Sequence, residues 1–465
     1  MNPNMKNSGV AMKVMKFGGG CLKNGGDFLK VAAIVAARKD SPVIVVSAVH
    51  GVTDLLEAGI HEAMKSEQSL LNLIEFLRKK HRNIIDETIT ADGLRLSVSA
   101  EIEERLGRVE RLLFAVACTK EVTDSVRAQI LSYGERMSAL LLAAVLQDRK
   151  IEAVALAADE IGIMTDECYE SATPILEEVR KNLARTVLPL VDRGVVPVIT
   201  GYFGCSPDGK VTTFGRNGSD YSASVIASAT DASSLEIWKD VDGFMTADPK
   251  IVRGSRRIDR LSYYEAAELS YLGAQILHPR TVEPLMASGI PLYIKNLSKP
   301  EDPGTEILNG GYEREDVVKS VSCNRKISVL RIHGPGVGFK SGIIAEIGKR
   351  LSRAGINIFS ILTSQTCINL FLDKKDCRKG YESIEKMQGG VIEKVRLEED
   401  IALISVVGEG LQKRKGVAAR VFAAVAEEDV NVEMISMGAS EVAYYFIVKD
   451  KDAEKTMSAV HREFF

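Results

Sequence analysis

The chain has 465 residues, 45% hydrophobic and 26% charged, a composition that supports about three folded domains of roughly 150 residues and excludes disorder over most of the length. Lys and Arg total 60 against 63 Asp and Glu, a net charge of -3, so no long-range field draws the chain to nucleic acid or anionic lipid, and any anion it binds must be held locally. The longest purely apolar run, Ala139 to Leu146, is eight residues, far short of the roughly 20 that cross a bilayer.

Met1 to Ala11 is polar and lacks a signal-peptide core, which predicts a disordered lead-in. The seven cysteines are scattered, odd in number and without a CxxC pair, as in a reduced, cytoplasmic protein without zinc. The six histidines form no metal-ligand spacing, and His278 before Pro279 reads as structural.

In chain order, Val14–Phe17 and Val43–Ala48 read as short strands, with Phe28, Val31, Ile34 and Val35 between them at helical spacing, a βαβ opening with a glycine-rich turn after its first strand. Leu55 to Arg149 reads as helical and charge-rich, with Ser132-x-x-Glu135 expected as a capping box ahead of an apolar run. Strand patterns return at Ala153–Ala157, Val195–Thr200, Lys210–Phe214, Leu235–Trp238 and Leu292–Lys295, so an α/β sandwich around a mostly parallel sheet is expected. The Pro- and Gly-rich stretch from Lys299 to Arg314 predicts a linker.

Beyond it lies an internal repeat at a constant offset of 74 residues: Ile327 matches Ile401, Gly334 Gly408, Gly336 Gly410, Gly342 Gly416, Ala345 Ala419, Asn357 Asn431 and Ile361 Ile435. Each copy reads as strand, glycine turn, amphipathic helix and strand, two ferredoxin-like α+β modules. Gly334 to Ser341 imitates a P-loop, but Phe339 stands where the glycine before lysine is required, and the second copy lacks the pattern.

Three groups can carry chemistry. Lys16-Phe-Gly-Gly-Gly20 ends the first strand, where glycine amides and a lysine suit phosphate; a flexible turn is the plain alternative. Thr212 to Asp220 again links a strand to a helix. There Arg216 suits bidentate capture of a carboxylate, and Ser219 and Asp220 suit an ammonium, a lysine or magnesium; a helix cap explains one of those polar residues but not Arg216. Glu135, with Ser47, Gly51 and Thr53 after the second strand, is open between helix capping and a ligand role at the same sheet edge.

Together, Lys16-Phe-Gly-Gly, Gly215-Arg-Asn-Gly-Ser-Asp220-Tyr221, Trp238-Lys-Asp-Val-Asp-Gly243, Leu272-Gly-Ala-Gln-Ile-Leu-His-Pro279 and Ile294-Lys-Asn resemble aspartate kinase of the amino acid kinase superfamily, from about Met12 to Phe465. The resemblance implies a three-layer α/β/α amino-acid-kinase sandwich over 12–300, a linker over 301–317 and two ferredoxin-like ACT domains. The first ACT domain would be 325–395; the second, interleaved, would be 318–324 plus 396–465. The implied activity is transfer of the ATP γ-phosphoryl group, with Mg²⁺, to the side-chain carboxylate of L-aspartate, the entry to lysine, threonine and methionine synthesis. Phosphoryl transfer asks for positioning and charge stabilisation, which suits a site of Lys, Arg and glycine turns.

On this resemblance Lys16 stabilises the transferring phosphoryl group, Asp220 orients Lys16 or Mg²⁺, and Arg216 grips a substrate carboxylate. Glu135 accepts the substrate ammonium, while Ser47, Thr53 and Ser219 position the amino acid. Lys16, Gly18, Gly19, Lys239, Asp240, Met245, Lys250 and Gln275 would contact the nucleotide, and Val337, Gly342, Ile343, Ile344 and Asn357 an amino-acid effector. No protein metal site, nucleic acid or membrane partner is implied. A cytoplasmic homodimer or higher oligomer through the ACT sheets is expected, as is a monofunctional kinase, since no homoserine dehydrogenase region follows the repeat.

The chain departs from the commoner family pattern in three places. Gly20 and Cys21 replace Thr and Ser, and Cys21 invites a thiol-reactivity test. Lys239 replaces Thr while Gln275 replaces Lys, as in some plant-type members, which suggests that Lys239 supplies the cation lost at position 275. Asn357-Ile-Phe359-Ser360 lacks the acid that lysine-sensitive members tend to carry, leaving lysine, threonine, another effector or none. Two alternatives stand beside this reading: a superfamily kinase for glutamate, an N-acyl amino acid or a nucleotide, and a catalytically weak amino-acid-sensing partner. Aspartate-dependent ATP turnover separates them.

Overall fold

β-Branched runs alternating with amphipathic helices build the first 300 residues of the chain, as the periodicity requires. The computed structural model describes residues 12–38, 40–65, 68–215, 217–274, 276–310 and 317–465. Arg216, Gln275, the expected lead-in over 1–11 and residues 311–316 of the expected linker lie outside the described residues. The chain divides into two units: one takes in the described chain to Phe244 with 259–267 and 276–310, the other 245–258, 268–274 and 317–465.

Among its described residues the first unit carries an eight-stranded sheet in the order Ala153–Leu156, Val196–Thr200, Val43–Val46, Lys13–Phe17, Ser234–Lys239, Leu292–Asn296, Thr305–Leu308, Arg260–Ser262. The pairs are parallel except that of Leu292–Asn296 with Thr305–Leu308. The central strands are buried along nearly their whole length, as expected of strands covered on both faces. Helices Gly25–Ala36, Val52–Ala63, Asp92–Thr119 and Asp124–Asp148 contribute to one large apolar core with these strands.

Three expectations are corrected. Ser132 and Glu135 do not cap a helix: they lie inside Asp124–Asp148, which Thr123 caps by accepting from the Val126 amide at 3.3 Å. The continuous helix leaves no free amide at Ser132, whose hydroxyl donates instead to Gln129 O. The strand expected at Lys210–Phe214 is Val211–Thr213, paired antiparallel with Phe203–Cys205 in a separate hairpin. Within the stretch expected as a linker, Thr305–Leu308 is a strand of the main sheet. Gly304, with φ +75°, turns the chain so tightly that a Cβ there would lie 1.9 Å from Ile294 O, and Thr305 and Ile307 face inward.

In the second unit each repeat copy has its own core and four-stranded antiparallel sheet. The repeat has a stereochemical cause. Gly342 and Gly416 start the helices Ile343–Arg353 and Val417–Glu427 with φ of +84° and +86°. A Cβ on Gly334 or Gly408 would lie 1.8 or 1.9 Å from a facing carbonyl oxygen. Only glycine tolerates both demands. The first sheet orders Ser360–Thr363, Cys367–Asp373, Ile327–His333, Lys394–Glu398; the second orders Ser320–Asn324, Ile401–Val407, Ala443–Lys449, Met434–Ser436. Ser320–Asn324, which precedes both copies in the chain, thus pairs with the second. The P-loop imitation is a surface turn ending in Phe339, which is 88% exposed.

Candidate active site

The first strand ends at Phe17, and Gly18 turns the chain while its amide donates to Trp238 O at 3.2 Å. Lys16 is thereby set next to the carboxyl ends of Val43–Val46 and Ser234–Lys239, the edge at which open α/β sheets bind ligands. Its side chain is only 5% exposed, and its ammonium lies 2.5 Å from Asp220 Oδ1. Asp220 stands in the first turn of Gly218–Ala229, and its Oδ2 receives Lys239 Nζ at 3.0 Å. Two lysines therefore flank one buried carboxylate. Burial pulls the Lys16 pKa down and Asp220 opposes it; burial alone would raise Asp220, but the two ammonium groups hold it below its ordinary value.

Glu135 projects from the long helix to the end of the second strand. Oε1 accepts from the Ala48 amide at 3.0 Å, and Oε2 is buried without a hydrogen-bond partner among the described residues. Gly134 permits the approach, since a Cβ there would lie 2.8 Å from the Ala48 methyl. Burial pushes the Glu135 pKa to about 8, and Lys16 pulls the other way. Ser47 is half-buried, its amide on Phe17 O at 3.1 Å. Thr53 lies in the first turn of Val52–Ala63, which Gly51 enters at φ +78°. Ser219 is buried beside Gly201, where any side chain would collide.

Thus Lys16, Asp220 and Lys239 meet directly, while Glu135, Ser47, Thr53 and Ser219 all lie beyond carboxyl ends of the same sheet. Asp240, next to Lys239, is paired with Lys23 Nζ at 3.0 Å. Met245 and Lys250 belong to the second unit, where Met245 O accepts from Ser320 Oγ at 2.9 Å. Of the effector candidates, Val337 is buried in its module's core with Ile343 packed against that core, Ile344 and Asn357 are exposed, and Gly342 begins the helix.

Tyr202 is a residue that the motifs did not mark. It has φ +74°, is half-buried, and Glu135 adds to the burial that raises its phenol. Its one sequence signal is its place just after Gly201, at a strand end. Cys21 is fully buried and its thiol is pushed to about 12, so it is no exposed nucleophile. His278 accepts from the Arg280 amide at 3.2 Å, a local cap.

The glycine turn and the paired ammonium groups fit a polyphosphate. No group of three or more His, Cys, Asp or Glu able to hold a metal occurs among the described residues. That donor set fits an ion carried in by phosphate oxygens and water, with one or two carboxylates at most. Elsewhere in the unit, a polar cavity of about 340 Å³ opens near Arg105, Arg108, Arg136 and Asp159. Its three guanidiniums are each paired with an acid, leaving no charge to select a ligand. No helix among the described residues is long and apolar enough to cross a membrane.

The chain matches the amino acid kinase family model over residues 11–296 and two ACT domain models over 322–380 and 404–464. It is 33% identical to aspartokinase 3, chloroplastic, of Arabidopsis thaliana over 97% of this chain and 81% of that one. It is 30% identical to lysine-sensitive aspartokinase 3 of Escherichia coli (strain K12), over 97% and 99%. It spans 56% of a bifunctional aspartokinase/homoserine dehydrogenase of Buchnera aphidicola, at 28% identity over 98% of this chain. Among solved structures, E. coli aspartokinase III in complex with aspartate and ADP (R-state) aligns with TM-score 0.85 and 28% identity over 98% of this chain and 100% of that one. The same enzyme with lysine and aspartate (T-state) aligns with 0.81 and 29%, over 98% and 99%.

Proposed function

The chain belongs to the amino acid kinase family and, within it, to the aspartokinases, and we propose that it transfers the γ-phosphoryl group of ATP to the β-carboxylate of L-aspartate, giving 4-phospho-L-aspartate. The observation that carries this reading is the Lys16–Asp220–Lys239 triad, with Lys16 and Asp220 buried, at the end of the central strands, beside a glutamate with one oxygen unpartnered among the described residues. The triad suits charge on a transferring phosphoryl group, and Glu135 suits an ammonium.

Lys16 stabilises the charge that spreads over the phosphoryl oxygens. Asp220 holds the Lys16 and Lys239 side chains in place, so little reorganisation is needed during transfer. Glu135 ionises when the substrate ammonium reaches Oε2, while Ser47, Thr53 and Ser219 orient the amino acid and Arg216 holds its carboxylate. The acceptor is already an anion, so no side chain has to remove a proton. Gly18, Gly19, Lys239 and Asp240 are assigned to the nucleotide. Mg²⁺, when bound with ATP, neutralises phosphate charge.

We divide the chain into a catalytic domain that begins at residue 12 and takes in the Thr305–Leu308 strand of the main sheet, a connection from there to 317, and two interleaved ACT domains, 325–395 and 318–324 with 396–465. Val337, Gly342, Ile343, Ile344 and Asn357 would meet an amino-acid effector; lysine and threonine are the candidates. The enzyme would act in the cytoplasm as a homodimer or higher oligomer, in lysine, threonine and methionine biosynthesis.

The test is ATP-dependent acyl-phosphate formation trapped with hydroxylamine, on L-aspartate, with L-glutamate and no amino acid as controls. Aspartate-dependent product supports the kinase. A folded protein that makes none with MgATP rejects it in favour of a sensing role.

A further inference from the structure

The glycine turn of the candidate site carries an ion pair whose lysine no proposed role yet uses. Lys23 follows the Gly19–Cys21 turn by two residues, and its Nζ lies 3.0 Å from Asp240 Oδ2. Asp240 directly follows Lys239, so the pair ties the end of the phosphate-facing loop to the exit of the Ser234–Lys239 strand. Its carboxylate lies against Gly20: a Cβ there would sit 3.0 Å from Cγ, Oδ1 and Oδ2 alike. That distance is tighter than a side chain tolerates without movement of the carboxylate. The space that a residue larger than glycine would fill is thus occupied by Asp240, held there by Lys23.

We propose that Lys23 is a positioning residue for ATP, which it serves by neutralising and fixing the Asp240 carboxylate beside the Gly18–Gly20 turn. The proposal rests on the reading above that ATP phosphates meet this turn. An unpaired carboxylate here would repel a polyphosphate and could swing into its path. Lys23 removes both penalties, and Gly20 is the complement that leaves the carboxylate its place. A hydroxyl residue at position 20 would require the Asp240 carboxylate to shift by a few tenths of an ångström from this arrangement. Each directs the other in charge: Lys23 is the first cause holding Asp240 below its ordinary pKa, and Asp240 the first cause raising Lys23.

The pair is partly exposed, Lys23 42% and Asp240 56% by side chain, so its effect is modest and screened by salt. The test is calorimetric titration of the full chain with MgATP in the absence of acceptor, at low and high salt, for wild type, Lys23→Met, Lys23→Arg, Gly20→Ala and the Gly20→Ala/Lys23→Met double variant. Lys23→Met is expected to weaken ATP about three- to tenfold at low salt and less at high salt. Lys23→Arg stays within about twofold, because it keeps the charge. Gly20→Ala also weakens ATP, and adding Lys23→Met to it costs less than Lys23→Met alone, because the released carboxylate can move aside. At saturating ATP, kcat and the KM for aspartate are unchanged in Lys23→Met, as is the unfolding midpoint.

Wild-type ATP affinity in Lys23→Met overturns the proposal, as does a loss in Lys23→Arg equal to that in Lys23→Met. A parallel fall in kcat, both affinities and stability also overturns it and marks the pair as structural. The trapped-product assay keeps the two claims apart: wild type that binds ATP but makes no acyl phosphate sinks the kinase reading while the titration still judges Lys23.

Discussion

Replacing Lys16 by methionine keeps most of the stem and deletes one charge at the centre of the site. The ammonium is 2.5 Å from Asp220 Oδ1 in surroundings that leave the side chain 5% exposed, so it acts in a weakly screened setting. Losing one preorganised stabiliser of this kind costs about 10² to 10³ in turnover, roughly 3–4 kcal/mol of transition-state stabilisation. Breaking a buried ion pair would ordinarily also cost about 3–5 kcal/mol of folding stability, because a charge is left unpaired. Here Lys239 still holds Asp220 Oδ2 at 3.0 Å, so the carboxylate keeps a partner and the fold should survive. The assay is hydroxylamine-trapped acyl phosphate at saturating ATP and aspartate, with the unfolding midpoint measured on the same preparations. A folded Lys16→Met protein that turns over within about threefold of wild type would remove Lys16 from the mechanism.

Three further outcomes are expected. Glu135, raised from 4.5 to about 8 by burial, keeps in the native state a proton that the unfolded chain loses above about pH 4.5, so stability should fall as pH rises from there to about 8. Glu135→Gln should flatten that slope in thermal unfolding, and in wild type the KM for aspartate should rise by up to about tenfold per pH unit below 8, because the substrate ammonium needs the ionised form; a wild-type KM independent of pH across that range refutes the role. Lys239→Thr takes the second ammonium from Asp220 and should raise the KM for ATP by about tenfold or more, with Gln275→Lys restoring it in the double variant; no rescue rejects the idea that the cation has moved. In native protein at pH 8 a maleimide should label the exposed Cys118 and Cys168 well before the buried Cys21, a ranking that mass spectrometry reads directly and that early labelling of Cys21 would overturn.

Periodicity in the chain carries much of the architecture. Strand and helix alternation is local, so Val43–Val46, Leu292–Asn296 and the helix Gly25–Ala36 can be read from a few residues each. The 74-residue repeat is equally legible, because the same φ at Gly342 and Gly416 and the same close approach at Gly334 and Gly408 demand glycine twice. Strand–glycine–helix junctions likewise mark Lys16 and Asp220 as candidates before any contact is known.

The sequence by itself therefore determines the types and order of elements, the repeat, and the residues able to do phosphate chemistry, since each depends on neighbours along the chain. Tertiary structure alone decides that Lys16 and Lys239, 223 positions apart, share one carboxylate. It also decides that Glu135 is no cap, because helix Asp124–Asp148 runs through it and carries its carboxylate to the Ala48 amide. Burial follows the same rule: Cys21 looks reactive beside three glycines, yet packing around it removes water and raises its thiol. Pairings between distant segments, and the desolvation they impose, are set by how sheet and helices pack, and no local pattern encodes either.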